Sequence, residues 1–127
     1  MPRPPSPALT DAEARVMSVL WRKEPATVSD VVGELNALKK KRPVAYSTVQ
    51  TMLRILEEKG YVTHEKVARA FIYRPRVNER QARRRALKHV ASRLFNDSLG
   101  QLVLNVLEDG QIDAEELSRL KKMIEEA

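Results

Sequence analysis

The sequence predicts a mainly α-helical protein carrying one small β-hairpin. Three observations predict it. Apolar residues recur at helical spacing in several segments, each bounded by residues that start or stop helices. Two short β-rich runs, residues 61–65 and 70–74, flank a short tip and end at Pro75. Their order along the chain is helix, helix, helix, hairpin, and then more helix.

Each element has a local reason. Residues 1–8, within the start MPRPPSPALT, read as a short disordered arm, with prolines where a signal peptide would carry its apolar stretch. Thr10 and Glu13 have capping-box spacing before the first helix, whose apolar stripe is Val16, Met17 and Leu20, with Trp21 near its end. Pro25 breaks the chain. Thr27 and Asp30 mark a second start, followed by Val31, Val32, Leu35 and Leu38 at core spacing. A basic run, KKKR at residues 39–42, and then Pro43 lead into a third helix. There Ser47 and Gln50 have the spacing of another capping box, and Tyr46 stands beside them at the helix start. Val49, Leu53 and Leu56, with Met52 beside them, form the buried face, and Gly60 suits a residue of positive φ that ends the helix.

The outward face of that third helix holds Ser47, Thr48, Gln50, Thr51 and Arg54. Hydroxyl, amide and guanidinium groups are the chemistry that hydrogen-bonds base edges and phosphates in a major groove. An amphipathic helix with a solvated polar face gives the same pattern. A helix of this kind followed by a hairpin is the arrangement of a winged helix-turn-helix, with residues of about 47–59 as recognition helix and about 61–74 as wing. Lys66 to Arg69 form the wing tip, whose two cations suit phosphate contacts. His64 reads as a surface strand residue rather than a metal ligand.

Charge favours the nucleic-acid reading. Residues 1–77 carry 14 Lys or Arg against 8 Asp or Glu, whereas residues 78–127 carry 9 of each. The whole formal excess of +6 therefore lies on the half with the outward polar helix. The sequence thus divides into a DNA-binding domain at 9–77 and a helical domain at 78–127. DNA contacts are assigned to Tyr46, Ser47, Thr48, Gln50, Thr51, Arg54, Lys66 and Arg69.

The last 50 residues carry too many apolar stripes to bury alone. Ala82, Ala86, Leu87, Val90, Leu94 and Phe95 line one helix. Leu99, Leu102, Val103, Val106 and Leu107 line the next, and Leu117, Leu120, Met123 and Ile124 line a third that Asp113 and Glu116 cap. A two-fold partner doubles the buried area. The expected homodimer interface is Leu87, Val90, Leu94, Leu102, Val106 and Leu120. Arg83, Arg84 and Arg85 read either as a solvated helix face or as partners for the acidic tail at Glu115, Glu116, Glu125 and Glu126.

Other classes fit poorly. No Gly-rich phosphate loop, H-E-x-x-H or G-x-S-x-G occurs, and His64 and His89 lack a carboxylate or nucleophile at motif spacing. No enzymatic activity, cofactor or metal is expected. No apolar run reaches the length of a membrane span, and zero cysteines suit a cytoplasmic protein. Double-stranded RNA is disfavoured, because its major groove is too narrow for a helix. A winged-helix protein–protein adaptor is the surviving alternative, and it would need exposed apolar anchors on the third helix.

Four segments together resemble the BlaI/MecI/CopY family of bacterial penicillinase-type repressors: LTDAEARVMSVLW, AYSTVQTMLRILEEKGY, FIYRPRV and SLGQLVLNVLEDGQIDAEELSRLKKMIEE. The resemblance runs over nearly the full chain from Leu9. It implies a dimeric winged-helix repressor on a palindromic DNA operator, with a C-terminal dimerisation domain. It also implies release by a signal, through a sensor protease or another inactivating partner. Some members are cut at an Asn-Phe bond; the matching bond here is Asn105-Val106, so the Phe has become Val. CopY-type members bind metal through C-terminal cysteines, which this chain lacks.

Overall fold

The computed structural model describes residues 8–38 and 42–126. The expectations for residues 1–7, for the Leu38 side chain and for Lys39, Lys40 and Lys41 fall outside these. The order is α1 (Asp11–Arg22), β1 (Ala26–Thr27), α2 (Val28–Leu38), α3 (Tyr46–Glu58), β2 (Val62–Val67), β3 (Ala70–Pro75), α4 (Glu79–Leu94), α5 (Leu99–Glu108) and α6 (Ala114–Glu126).

The first two helix starts follow the sequence reading. Thr10 Oγ1 accepts from the Glu13 amide at 3.1 Å, and Glu13 Oε1 accepts from the Thr10 amide at 2.8 Å. Thr27 and Asp30 form the same reciprocal pair at 3.0 and 3.1 Å. The Thr27 amide that Asp30 accepts holds this carboxyl below its ordinary range. The sequence reading placed only a hairpin here. Thr27 also belongs to a third, two-residue strand, pairing antiparallel with Ile72 in a sheet of order β1-β3-β2. Two residues are too few to leave a period-2 signature.

Three helices and this sheet enclose one core. Val16, Met17 and Leu20 from α1 meet Val31 and Leu35 from α2, and Val49, Leu53 and Leu56 from α3. Tyr61, Val62 and Tyr73 close it from the hairpin side. Each fully buried aliphatic side chain contributes about 1.5–3 kcal/mol. Trp21 packs at the edge, and its indole N–H donates to the Val77 carbonyl at 2.9 Å. The connection from α2 to α3 closes on one side chain: Asn36 Oδ1 accepts from the Val44 amide at 2.6 Å, and Asn36 Nδ2 donates to the Val44 carbonyl at 3.4 Å.

A buried ion pair ties α1 to α3. Lys59 Nζ donates to Glu13 Oε1 at 2.6 Å and to the Ala8 carbonyl at 2.9 Å. The two side chains are 4% and 6% exposed. Glu13 thereby serves the cap of α1 and the last turn of α3 at once. Directly after Lys59, Gly60 takes φ +85°. The Gly60 amide donates to Glu57 and the Tyr61 amide to Leu56, at 3.0 and 2.9 Å, which is a Schellman ending. Tyr61 and Leu56, the apolar pair such an ending brings together, are both buried.

The chain divides into two compact units between Ala86 and Leu87, within α4. Ala82 of α4 is buried in the core of the first unit. An unforeseen Asn78–Gln81 reciprocal cap starts α4 at 2.8 and 2.9 Å. Arg83 pairs with Glu79 one turn back, and the Arg85 guanidinium lies 5.0 Å from the Tyr61 ring centroid. In the second unit Ser98 caps α5, and Asp113 Oδ1 accepts from the Glu116 amide at the start of α6.

Breaking the Lys59–Glu13 pair from one side leaves a buried charge without its partner. Lys59→Met is expected to cost about 3–5 kcal/mol of unfolding free energy, far more than an exposed lysine would. Urea denaturation of the two proteins measures it; a loss below 1 kcal/mol, the scale of a surface pair, would show that the pair is not what fastens these helices.

Candidate nucleic-acid interface

α3 starts earlier than its sequence suggested, and this changes its cap. Ala45 is the N-cap, and no side chain caps the helix. Ser47 therefore lies inside the first turn and forms no capping box with Gln50. The Thr48 and Val49 amides bond instead to the Ala45 carbonyl, at 3.1 and 3.2 Å. Freed of a capping role, the Ser47 and Gln50 side chains stand exposed with Tyr46, Thr48, Thr51 and Arg54.

The hairpin turns back through two residues, since Val67 pairs with Ala70. Ala68 takes φ +56°, the left-handed region that a Cβ disfavours. The tip is thus Ala68 and Arg69, and Lys66 belongs to β2 rather than to the tip. Lys66 lies opposite Phe71, with its ammonium 5.9 Å from the ring centroid. Arg74 is paired with Glu65 at 3.5 Å. Arg42, Arg54, Lys66 and Arg69 have no carboxylate partner among the described residues, which leaves their charge available to an anionic ligand.

Between α3 and the wing lies a concavity of about 390 Å³, lined by Gln50, Thr51, Arg54, Glu57, His64, Phe71 and Tyr73. A second, of about 320 Å³, shares Gln50 and Phe71 and reaches the start of α2 at Thr27, Val28 and Ser29; Tyr46, Arg69 and Ala70 complete its wall. Five of the eight residues assigned to DNA from sequence therefore border these two adjoining hollows: Tyr46, Gln50, Thr51, Arg54 and Arg69. Ser47 is exposed but borders neither hollow. Thr48 faces a different cleft, beside Ala12, Arg15 and Met52.

Sequence reasoning missed two groups at this groove. Ser29 enters because α2 starts beside the wing, which only the β1–β3 pairing brings about. His64 also has a carboxylate partner after all. Its Nδ1 lies 2.7 Å from both Glu57 carboxylate oxygens, joining β2 to the last turn of α3. They lie seven positions apart along the chain, with the Gly60 turn between, a spacing that belongs to no motif. The His64 ring also meets Phe71 edge-on at 5.2 Å and Tyr73 at 5.4 Å between centroids. Burial raises the Tyr73 phenol above its ordinary range, and the Glu57 carboxylate beside it adds to the effect.

Residues 9–126 match the family model described as the penicillinase repressor. The chain belongs to the penicillinase repressor family. Over 120 residues it is 34% identical to the penicillinase repressor of Bacillus licheniformis, covering 94% of this chain and 91% of that protein. It is 24% identical to the methicillin resistance regulatory protein MecI of Staphylococcus aureus (strain N315), covering 91% and 92% of the two chains. In structure it is similar to the DNA-binding domain of the repressor BlaI in solution, with a TM-score of 0.50 at 34% identity, over 62% of this chain and 90% of that one. That likeness agrees with the winged-helix reading of a mostly helical chain with a small antiparallel sheet. No helix among the described residues is long and apolar enough to cross a membrane.

The α3 face and Lys66 on β2, which lines neither hollow, carry different chemistry, so their substitutions should separate on duplex DNA. Gln50→Ala or Arg54→Ala should cost about 1–3 kcal/mol on the preferred sequence and relax preference at one base pair. Lys66→Ala should weaken every sequence alike. Gel shifts on preferred and scrambled duplexes read both; unchanged preference in the two α3 variants would move the reading element elsewhere.

Proposed function

We propose that this chain is a sequence-specific, DNA-binding transcriptional repressor that acts as a homodimer on a palindromic operator. The observation that carries the DNA reading is the pair of adjoining hollows between α3 and the wing, which meet at Gln50 and Phe71. One helix face of hydroxyl, amide and guanidinium groups stands beside a wing whose Lys66 and Arg69 have no carboxylate partner among the described residues. In this reading α3 enters the major groove, with Gln50, Thr51 and Arg54 at base edges. Lys66, Arg69 and Arg42 rest on phosphates, which position the protein without specifying sequence. The α3 face offers no large apolar anchor beyond Tyr46, and Phe71 is already in contact with His64 and Lys66, so an adaptor surface fits less well. Nothing in the groove's chemistry calls for catalysis. A protein of this kind works where the genome is, in the cytoplasm.

The second unit supports the dimer. In it Leu94, Met123 and Ile124 are 76%, 66% and 65% exposed, and Leu87, Val90 and Val106 are exposed as well. Leu102 and Leu120 are half-buried. Apolar area of this extent on a single chain is what a second copy covers. Two linked half-sites then raise operator affinity through effective concentration.

Release through Asn105-Val106 would meet an obstacle. Both residues lie inside α5, and the Asn105 carbonyl accepts from the Asp109 amide at 3.2 Å. A protease reads an extended backbone, so this turn would first have to open, and Val replaces the family's Phe. Relief by a different inactivating partner fits this chain better.

Two measurements test the proposal. Binding to a palindromic duplex should weaken steeply with salt, with a log–log slope that shrinks by about 1 for each phosphate contact removed. A flat response between low and physiological salt would sink the DNA reading. Leu94→Glu should give monomers by sedimentation, with the first unit still folded, because this side chain lies in the second unit and is exposed within its own chain. Its operator affinity should fall at least about tenfold as the second half-site's contribution is lost. Monomeric wild type that binds its palindrome at full affinity would remove the dimer.

A further inference from the structure

Glu57 is an anomaly in the groove. It is a carboxylate in the same hollow as Gln50, Thr51 and Arg54, on the helix face that must approach a polyanion. Left bare, it would repel phosphate and withhold this turn of α3 from the groove. His64 covers it. Nδ1 lies 2.7 Å from each carboxylate oxygen, and a carboxylate only accepts, so the contact is made by the ring form that carries its hydrogen on Nδ1. The ring is itself fixed by Phe71 edge-on and by Tyr73. Phe71 in turn carries the Lys66 ammonium on its other contact. One chain of contacts therefore runs from the acid of the recognition helix, through His64 and Phe71, to a wing cation.

We propose that His64 is a positioning residue for DNA binding. By holding both oxygens of Glu57 it fastens the wing to α3 and keeps that carboxylate turned from the DNA. The inference rests on the DNA-binding reading above. It assigns His64 and Glu57 no contact with a base.

The experiment uses the full chain and two duplexes: the sequence that wild type itself selects from a random library, and a scrambled control. His64→Ala should weaken binding to the selected duplex about tenfold or more, the scale of a lost charge-assisted hydrogen bond. His64→Asn, whose side-chain amide nitrogen sits where Nδ1 was, should stay within about threefold of wild type on the same scale of affinity. Glu57→Gln keeps an oxygen for Nδ1–H to reach and removes the charge, so it too should stay within about threefold and select the same sequence. The decisive protein is His64→Ala combined with Glu57→Gln. If an uncovered carboxylate is the damage, the double variant binds more tightly than His64→Ala alone. A merely structural role predicts a double variant no tighter than the single. Thermal melts confirm that each variant folds; the pair is about one-third exposed, so the core is untouched. Wild-type affinity in His64→Ala, a double variant no tighter than His64→Ala, or an altered preferred sequence in Glu57→Gln would each overturn the proposal. Wild type that retains neither duplex at low salt would instead overturn the DNA-binding reading beneath it.

Discussion

The interface depends on one buried contact, the Lys59–Glu13 pair. Two charges out of water are costly to hold, and they persist here because every nearby partner is used. Glu13 Oε1 accepts from the Lys59 ammonium and from the Thr10 amide, and Lys59 donates also to the Ala8 carbonyl. The pair thus fixes where α1 begins against where α3 ends. The recognition face lies on the same helix, only a few residues before Lys59, so its orientation is set by this anchorage together with Val49, Leu53 and Leu56 beneath it. A pair of this kind adds more to the choice of one arrangement than to net stability, since well-packed apolar residues could do as much for the latter.

The wing inherits its position from the same end of α3. Gly60 at positive φ reverses the chain, and the Schellman bonds leave Tyr61 against Leu56. β2 then starts directly beside the helix that it must accompany onto DNA. Two further ties hold it there. The β1–β3 pairing joins the hairpin to the start of α2, and Glu57–His64 joins it to α3. A hairpin alone is marginal in water. This one is held at its base by the core, at one edge by a strand, and along its face by the Glu57–His64 hydrogen bond.

The second unit follows a different logic. Its helices are well capped, by Ser98 at α5 and Asp113 at α6, yet Ala91 is its only buried apolar residue among those described. Local rules suffice to form the helices, but a single copy does not supply the area that would cover them. The apolar stripes from Leu87 to Ile124 are therefore the surface that the proposed dimer would cover.

The sequence by itself determined whatever depends on neighbours a few residues apart. Thr10 with Glu13 and Thr27 with Asp30 are reciprocal caps readable from spacing, and the stripes of α1 and α3 follow from a period of 3.6 residues. Gly60 was legible because few other residues take its φ. Where two local signals competed, spacing misled: Ser47 and Gln50 have capping geometry, but α3 begins at Tyr46, ahead of them. Only the tertiary structure decided the contacts that cross elements. The two-residue strand β1 is too short for a pattern of its own and exists because β3 lies beside it. The groove gathers Ser29, Gln50 and Arg69 from three separate segments. Above all, Glu57 and His64 belong to different elements on either side of a turn, so their distance is set by how α3 and the hairpin pack. Spacing along the chain carries no record of that distance, because the Gly60 reversal, and not helical or strand periodicity, brings the two side chains together.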